Sequence, residues 1–227
     1  DQSIVGDQAM LFRLAGERMY TEMSKTCHTP EIDRATALHK LMRLLTCTAG
    51  GDGYLNFMGN EFGHPEWVDF PRAGNGDSFQ YCRRQWSLVQ NPDLKYQSLA
   101  SFDRAMLHLA RQWDWFRQWM PDLKLVSRDQ QVLAFERGNL IFVFNFSPTH
   151  SYPNALIPVS RGEDHVLLLS TDDETFGGQG RITPIPYPAC VAGHRGNYLQ
   201  LYLPARTAVV LAPETLVKVQ ERILIDG

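Results

Sequence analysis

The sequence holds 227 residues, 44% hydrophobic and 21% charged, a composition that folds and is long enough for one large domain or two ordinary ones. Its 22 Lys and Arg against 25 Asp and Glu leave a net charge of -3, without the basic excess of a phosphate-tracking surface, so nucleic acid is not an expected partner. No apolar run approaches the roughly 18 residues of a membrane helix, so no membrane is expected either.

The chain opens Asp1-Gln2-Ser3, without a methionine and without the basic stretch and apolar core of a signal peptide, and reads as a fragment. The first helical pattern follows Thr29-Pro30-Glu31: Ile32, Ala35, Leu38, Met42 and Leu45 recur at three- and four-residue steps, with Thr29 suited to the N-cap and Pro30 to the first helical position. Tyr54 to Met58 is a short apolar run bounded by Gly50-Gly51-Asp52-Gly53 and Gly59-Asn60, and predicts a buried strand. The stretch from Gly59 to about Lys95 is too long for a plain connector, and a loop of that length is expected to shape a site. After Ser98, Leu99, Phe102, Met106, Leu109, Trp113 and Phe116 predict a second amphipathic helix.

Beyond Pro121 the period changes to that of strands. Val132 to Phe135 and Leu140 to Phe146 flank Gly138-Asn139, a pair suited to the positive backbone angles of a tight hairpin. Val166 to Leu169, Tyr198 to Leu203 and Ala208 to Leu211 continue the series between Gly- and Pro-rich stretches, which predicts a β-sandwich. The boundary between the halves is expected around Pro121 to Gln131. Cys27, Cys47, Cys82 and Cys190 are widely separated and match no zinc spacing, so they read as reduced thiols of a cytosolic-type compartment, with no metal and no organic cofactor expected.

The order helix, strand, loop, helix resembles one end of an α/β barrel, where a strand delivers residues to a site at its C-terminal end and a helix returns outside. A more specific signal lies in Tyr54-Leu55-Asn56-Phe57-Met58-Gly59-Asn60-Glu61-Phe62-Gly63-His64-Pro65-Glu66-Trp67-Val68-Asp69-Phe70-Pro71. That segment resembles the hallmark stretch of eukaryotic 1,4-α-glucan branching enzymes of the α-amylase superfamily. The resemblance continues through Asp1 to Asp7, Ser101 to Met106, Phe135-Glu136-Arg137 with Phe142 to Phe146, Phe176-Gly177-Gly178 and Pro204 to Pro213. It implies a fold class of α/β plus all-β. Residues 1–120 would be the C-terminal end of a catalytic (β/α)8 TIM barrel, and residues 129–227 an antiparallel β-sandwich.

The family chemistry so implied is retaining transglycosylation. One carboxylate attacks the anomeric carbon, a carboxylic acid protonates the leaving oxygen, and the covalent glucan is passed to a C6 hydroxyl to form an α-1,6 branch. Asp1 would be the aspartate of a Ser-His-Asp-Gln motif, a third carboxylate that holds sugar hydroxyls. The nucleophile and the acid/base lie upstream in the family, so the isolated chain is expected to be inactive.

Gln2, Asn60, Glu61 and Trp67 complete the candidate site. Glu61 follows the apolar run where barrel site loops begin, as either a hydrogen-bonded structural carboxylate or a sugar contact. Trp67 offers an aromatic face to a glucose ring. His64, beside Pro65, reads as a hydrogen bonder of the loop rather than an acid or base. Asn145-Phe146-Ser147 satisfies a glycosylation sequon but falls inside a predicted strand, which argues against its use. The expected partners are an α-glucan and the remaining N-terminal part of the same protein or another copy of the chain. The expected location is the cytoplasm, or a plastid where the source has one. Two rivals are a hydrolase or debranching relative of the superfamily, and a glucan-binding or interaction module that never catalyses.

Overall fold

A computed structural model describes residues 7–118, 120–191 and 196–226. The chain forms two compact units, Asp1–Leu109 with Glu174–Gly178, and Ala110–Asp173 with Gln179–Gly227.

Helices and turns build the first unit. Helix α1 spans Met10–Ala15, α2 Pro30–Ala49, α3 Ser87–Gln90 and α4 Lys95–Trp113, the last running on into the second unit. Pro30 occupies the first turn of α2, as expected. Thr29 is extended at the N-cap position, but its hydroxyl bonds Glu22 (2.8 Å) instead of the helix backbone. The buried positions of α2 include the expected Ile32 and Ala35, then Leu41, Leu44 and Cys47, together with His39, Lys40 and Arg43. Helix α4 buries Leu99, Phe102, Met106, Leu109 and Trp113 as its stripe predicts. It begins before Ser98 and ends where Asp114 takes a positive φ of 46°. Leu11, Met19, Met23, Ile32, Phe62, Tyr96 and Leu99 close one apolar cluster, with Tyr96 donating to the Met19 carbonyl at 3.3 Å.

The strand expected over Tyr54 to Met58 does not form. A strand exists through its ladder of backbone hydrogen bonds, and the described residues of this unit supply only the isolated bridges Asp7–Val68 and Ser24–Leu94. Leu55 is 90% exposed and Met58 56%, so the run is apolar without being buried here. The long stretch after Gly59 is not one open loop either, since it contains short helical turns at Asn60–Phe62 and Ala73–Asn75 as well as α3.

The second unit consists mainly of two antiparallel sheets. Strands β1 (Asp122–Ser127), β2 (Val132–Arg137), β3 (Leu140–Asn145), β4 (Tyr152–Val159), β5 (His165–Ser170), β6 (Ala189–Val191), β7 (Asn197–Leu203) and β8 (Thr207–Pro213) precede helix α5, Glu214–Asp226. The sheet orders are β1-β2-β3-β8-β5 and β4-β7-β6. Arg137 pairs with Leu140 across the expected tight turn, in which Gly138 and Asn139 have φ of 60° and 66°. Val132, Ala134, Ile141, Val143, Val209 and Leu211 of one sheet pack with Ile157, Val159, Leu199, Leu201 and Leu203 of the other, as in a sandwich. Strands β3 and β8 are buried at every position, hence on both faces. On the second face Phe135 stacks on Phe142 at 5.2 Å and Trp115 meets Phe142 edge-on at 5.5 Å.

Strands β1, β4 and β6 and helix α5 were not legible in the periodicity. Pro153 and Pro158 make β4 read as a breaker segment, yet β4 lies at a sheet edge, where a missing backbone donor is tolerated. Helix α5 follows the last strand within the expected sandwich domain of residues 129–227.

Asn145 of the sequon is fully buried. Its amide nitrogen faces the carbonyls of His150 (2.9 Å), Leu203 (3.2 Å) and Pro204 (3.0 Å), and its oxygen accepts the Ser147 N–H at 2.9 Å. The side chain thus ties β3 to the loops after β3 and β7. Asn145→Leu would leave these groups without their partner, at about 1 to 3 kcal/mol for each buried group, so a loss of about 3 kcal/mol or more is expected. Calorimetric unfolding of the two proteins tests this, and a loss under 1 kcal/mol would show that the contacts are dispensable.

Candidate functional site

The loop between α2 and α3 is built around glycine. Gly59 and Gly63 flank the Asn60–Phe62 turn in left-handed conformations, with φ of 98° and 70°. A Cβ on Gly59 would lie 2.7 Å from Cδ of Arg84, and one on Gly63 would lie within 2.3 Å of Cδ2 of Leu11. Backbone freedom and close approach both demand glycine at these two positions.

A chain of polar contacts runs from the helices into this loop. Arg43 on α2 is 1% exposed and donates through Nε (2.7 Å) and Nη2 (2.5 Å) to Oδ1 of Asp103 on α4, itself 5% exposed. Nη2 also donates to Oδ1 of Asn56 at 2.9 Å, and the guanidinium lies over the Tyr54 ring at 5.4 Å. Asn56 Nδ2 donates at 2.9 Å to Oε2 of Glu61, which also accepts the Gly59 N–H at 2.8 Å. Burial raises the Asp103 carboxyl above its usual value, and the charge and hydrogen bonds of Arg43 oppose that rise. Tyr54 is pushed up as well, chiefly by burial.

Two histidines are held neutral. His64 is 2% exposed, and burial, then the charge of Arg84, lowers it to about 4. The backbone N–H groups of Glu66 (3.2 Å from Nδ1) and Gln85 (3.1 Å from Nε2) both approach its ring, and the neutral imidazole accepts from one of them, which makes it a loop anchor, as expected, and not a proton carrier near neutrality. His39 on α2 is 1% exposed and lowered to about 3 by burial first and the charge of Arg43 second. The backbone of Glu61 lies near its ring and opposes that fall. Arg84 bonds the Met58 carbonyl (2.8 Å) and covers the Phe57 ring at 5.6 Å, which fixes the other side of the loop.

Of the candidate residues, Asn60 and Glu61 share one turn: Asn60 is 4% exposed and Glu61 is half-buried with Oε2 engaged. Trp67, 40% exposed, lies beyond His64 in the same loop. Asp1 and Gln2 lie outside the described residues. Sequence reasoning missed Asn56, Arg43 and Asp103 as a unit. A charged residue set within the buried positions of a helix is the signal that a partner must exist, but the partner of Arg43 is 60 residues away in the chain. Among the described residues no group of three His, Cys, Asp or Glu could hold a metal, and no helix is long and apolar enough to cross a membrane.

Three comparisons bear on this geometry. The family described as alpha amylase, C-terminal all-beta domain, matches residues 125–214. The chain is 48% identical over 216 residues to a 1,4-alpha-glucan-branching enzyme of Rhizophagus irregularis, covering 93% of this chain and 32% of that protein. It is 45% identical over 219 residues to the enzyme of the same name from Yarrowia lipolytica, covering 94% of this chain and 32% of that one. The crystal structure of a debranching enzyme from Nostoc punctiforme aligns with a TM-score of 0.48 at 19% identity, over 78% of this chain and 31% of that one. The chain thus spans about a third of the length of the curated relatives it matches.

Proposed function

We propose that this chain, a homologue of the C-terminal part of eukaryotic 1,4-α-glucan-branching enzymes, serves as that part of a glycosyltransferase that cuts α-1,4-glucan and rejoins it through α-1,6 bonds. The observation that carries the reading is the 48% identity over 93% of the chain, a span that includes the Tyr54 to Pro71 loop. In the reaction a carboxylate attacks the anomeric carbon while an acid protonates the departing 4-oxygen. The same group then takes the proton of a C6 hydroxyl, which attacks the glycosyl carbon and frees the carboxylate. The nucleophile and the acid belong to the family's upstream strands, outside these 227 residues.

In this reading residues 1–120 close the catalytic (β/α)8 barrel and residues 129–227 form its companion sandwich. Asp1 is the third carboxylate, holding sugar hydroxyls near the developing positive charge, with Gln2 beside it. Glu61 offers a carboxylate to glucan hydroxyls and Trp67 its ring face, while Asn60, buried in the same turn, lines the site behind them. The substrate is an α-glucan, and the location is the cytoplasm, or a plastid where the source has one. Leu55, Met58, Phe70 and Phe79, exposed by 90%, 56%, 60% and 72%, fit a surface that the remaining part of the protein covers.

The test joins this chain to the N-terminal two thirds of the Rhizophagus irregularis enzyme. Incubation with amylose, debranching and chain-length analysis are expected to reveal new α-1,6 linkages with the chimera and none with the 227-residue chain alone. A folded chimera that makes none, beside an active parent enzyme, would overturn the reading. Linkages made by the chain alone would overturn the assignment of the chemistry to upstream carboxylates.

A further inference from the structure

We propose that Asn56 is a positioning residue that ties the loop carboxylate Glu61 to the buried Arg43–Asp103 pair, so that the helices set the direction in which Glu61 meets a bound glucan. The inference rests on the reading above, in which Glu61 is a substrate contact. An exposed amide and a carboxylate would ordinarily exchange each other for water and hold no fixed geometry. Asn56 is exposed, but its oxygen is held by a guanidinium that is 1% exposed, clamped by Asp103 on one side and by the Tyr54 ring over its plane.

The orientation of the amide is determined by its two ends. Turned over, the Asn56 NH2 would face the N–H groups of Arg43 and its oxygen would face the Glu61 carboxylate, and both contacts would become repulsive. Only one state therefore presents Nδ2 to Oε2 of Glu61. The Gly59 N–H fixes the same oxygen from the backbone. With Oε2 occupied twice, Oε1 carries no hydrogen bond among the described residues and is the atom left to accept a hydroxyl. The relay joins α2 and the loop that follows it to Asp103 on α4, which lies 60 residues along the chain from Arg43.

The chimera with the Rhizophagus irregularis N-terminal part is the protein to use, with N56A, N56D, E61A and the double variant N56A/E61A, assayed on amylose. N56A is expected to leave the chimera folded at the assay temperature, with a small fall in melting temperature from the lost acceptor of Arg43 Nη2, while kcat/KM falls about tenfold. The double variant is expected to be no worse than E61A, since Asn56 acts through Glu61; a purely structural role would make the losses multiply. N56D keeps an oxygen facing Arg43 but turns the other against Glu61, so it is expected to be at least as impaired as N56A. If Asn56 served Arg43 alone, N56D would be tolerated. An active chimera in which N56A stays within twofold of the parent, or in which the two losses multiply, overturns the proposal by itself. An inactive unmutated chimera overturns the functional reading and the proposal with it.

Discussion

Asp103→Ala is expected to cost the 227-residue chain about 3 to 5 kcal/mol of stability, the usual penalty for stranding one charge of a buried ion pair. Arg43 is 1% exposed and donates two of its hydrogen bonds to Oδ1 of Asp103, so removal of that carboxylate leaves a cation that water reaches poorly. Arg43 also meets Asn56 and the Tyr54 ring, two neutral groups that do not replace a carboxylate. In a chain of this length the loss corresponds to a fall in melting temperature of roughly 10 °C. The double replacement Arg43→Met with Asp103→Leu removes both charges and is expected to recover much of the loss, because the desolvation of both ions disappears with them. Thermal melts of the three proteins decide the matter. A drop of less than about 1 kcal/mol for Asp103→Ala would mean that the pair is solvated in solution.

Acidification is expected to unfold the first unit between pH 6.5 and about 4, ahead of the general titration of carboxylates. His39 is lowered from 6.5 to about 3 and His64 from 6.5 to about 4, both chiefly by burial. A histidine with a depressed folded pKa binds its proton in the unfolded chain first. The unfolded state is therefore favoured as pH falls below 6.5, and the loss stops growing only when the folded form is protonated too. At pH 4.5 each residue lies about two units below its unfolded pKa and is still neutral when folded, so the pair costs about 5 kcal/mol relative to pH 8. Asp103, whose carboxyl burial raises, acts in the opposite sense at lower pH. Melting temperatures from pH 8 to 4.5 for the parent and for His39→Leu with His64→Gln provide the measurement. Equal acid sensitivity in both proteins would show that neither histidine is buried neutral.

The parts of the fold that were readable were those whose signal is local. Gly138-Asn139 has the residue types that two successive positive φ angles require, and the hairpin follows. The stripe from Leu99 to Trp113 has helical spacing, and the helix buries it. The continuous apolar runs of β3 and β8 suit strands covered on both faces, which is where they lie. Glu61, Asn60 and Trp67 were legible as members of one loop, because the glycines at 59 and 63 mark where the chain turns.

What escaped depends on partners that the chain supplies from elsewhere. Tyr54 to Met58 has the composition of a buried strand, but backbone pairing needs a neighbouring strand, and the described residues provide none. Pro153 and Pro158 weaken the case for β4 until the sheet order places that strand at an edge. Asn56, Arg43 and Asp103 are unremarkable as letters in a loop and two helices. Their meaning arises when folding removes a guanidinium from water and brings it a carboxylate, an amide and an aromatic ring. Local backbone preference and apolar spacing are properties of short segments, and the sequence alone determines them. Desolvation and hydrogen-bond satisfaction are properties of groups brought together over 60 residues or more, and only the tertiary structure decides those.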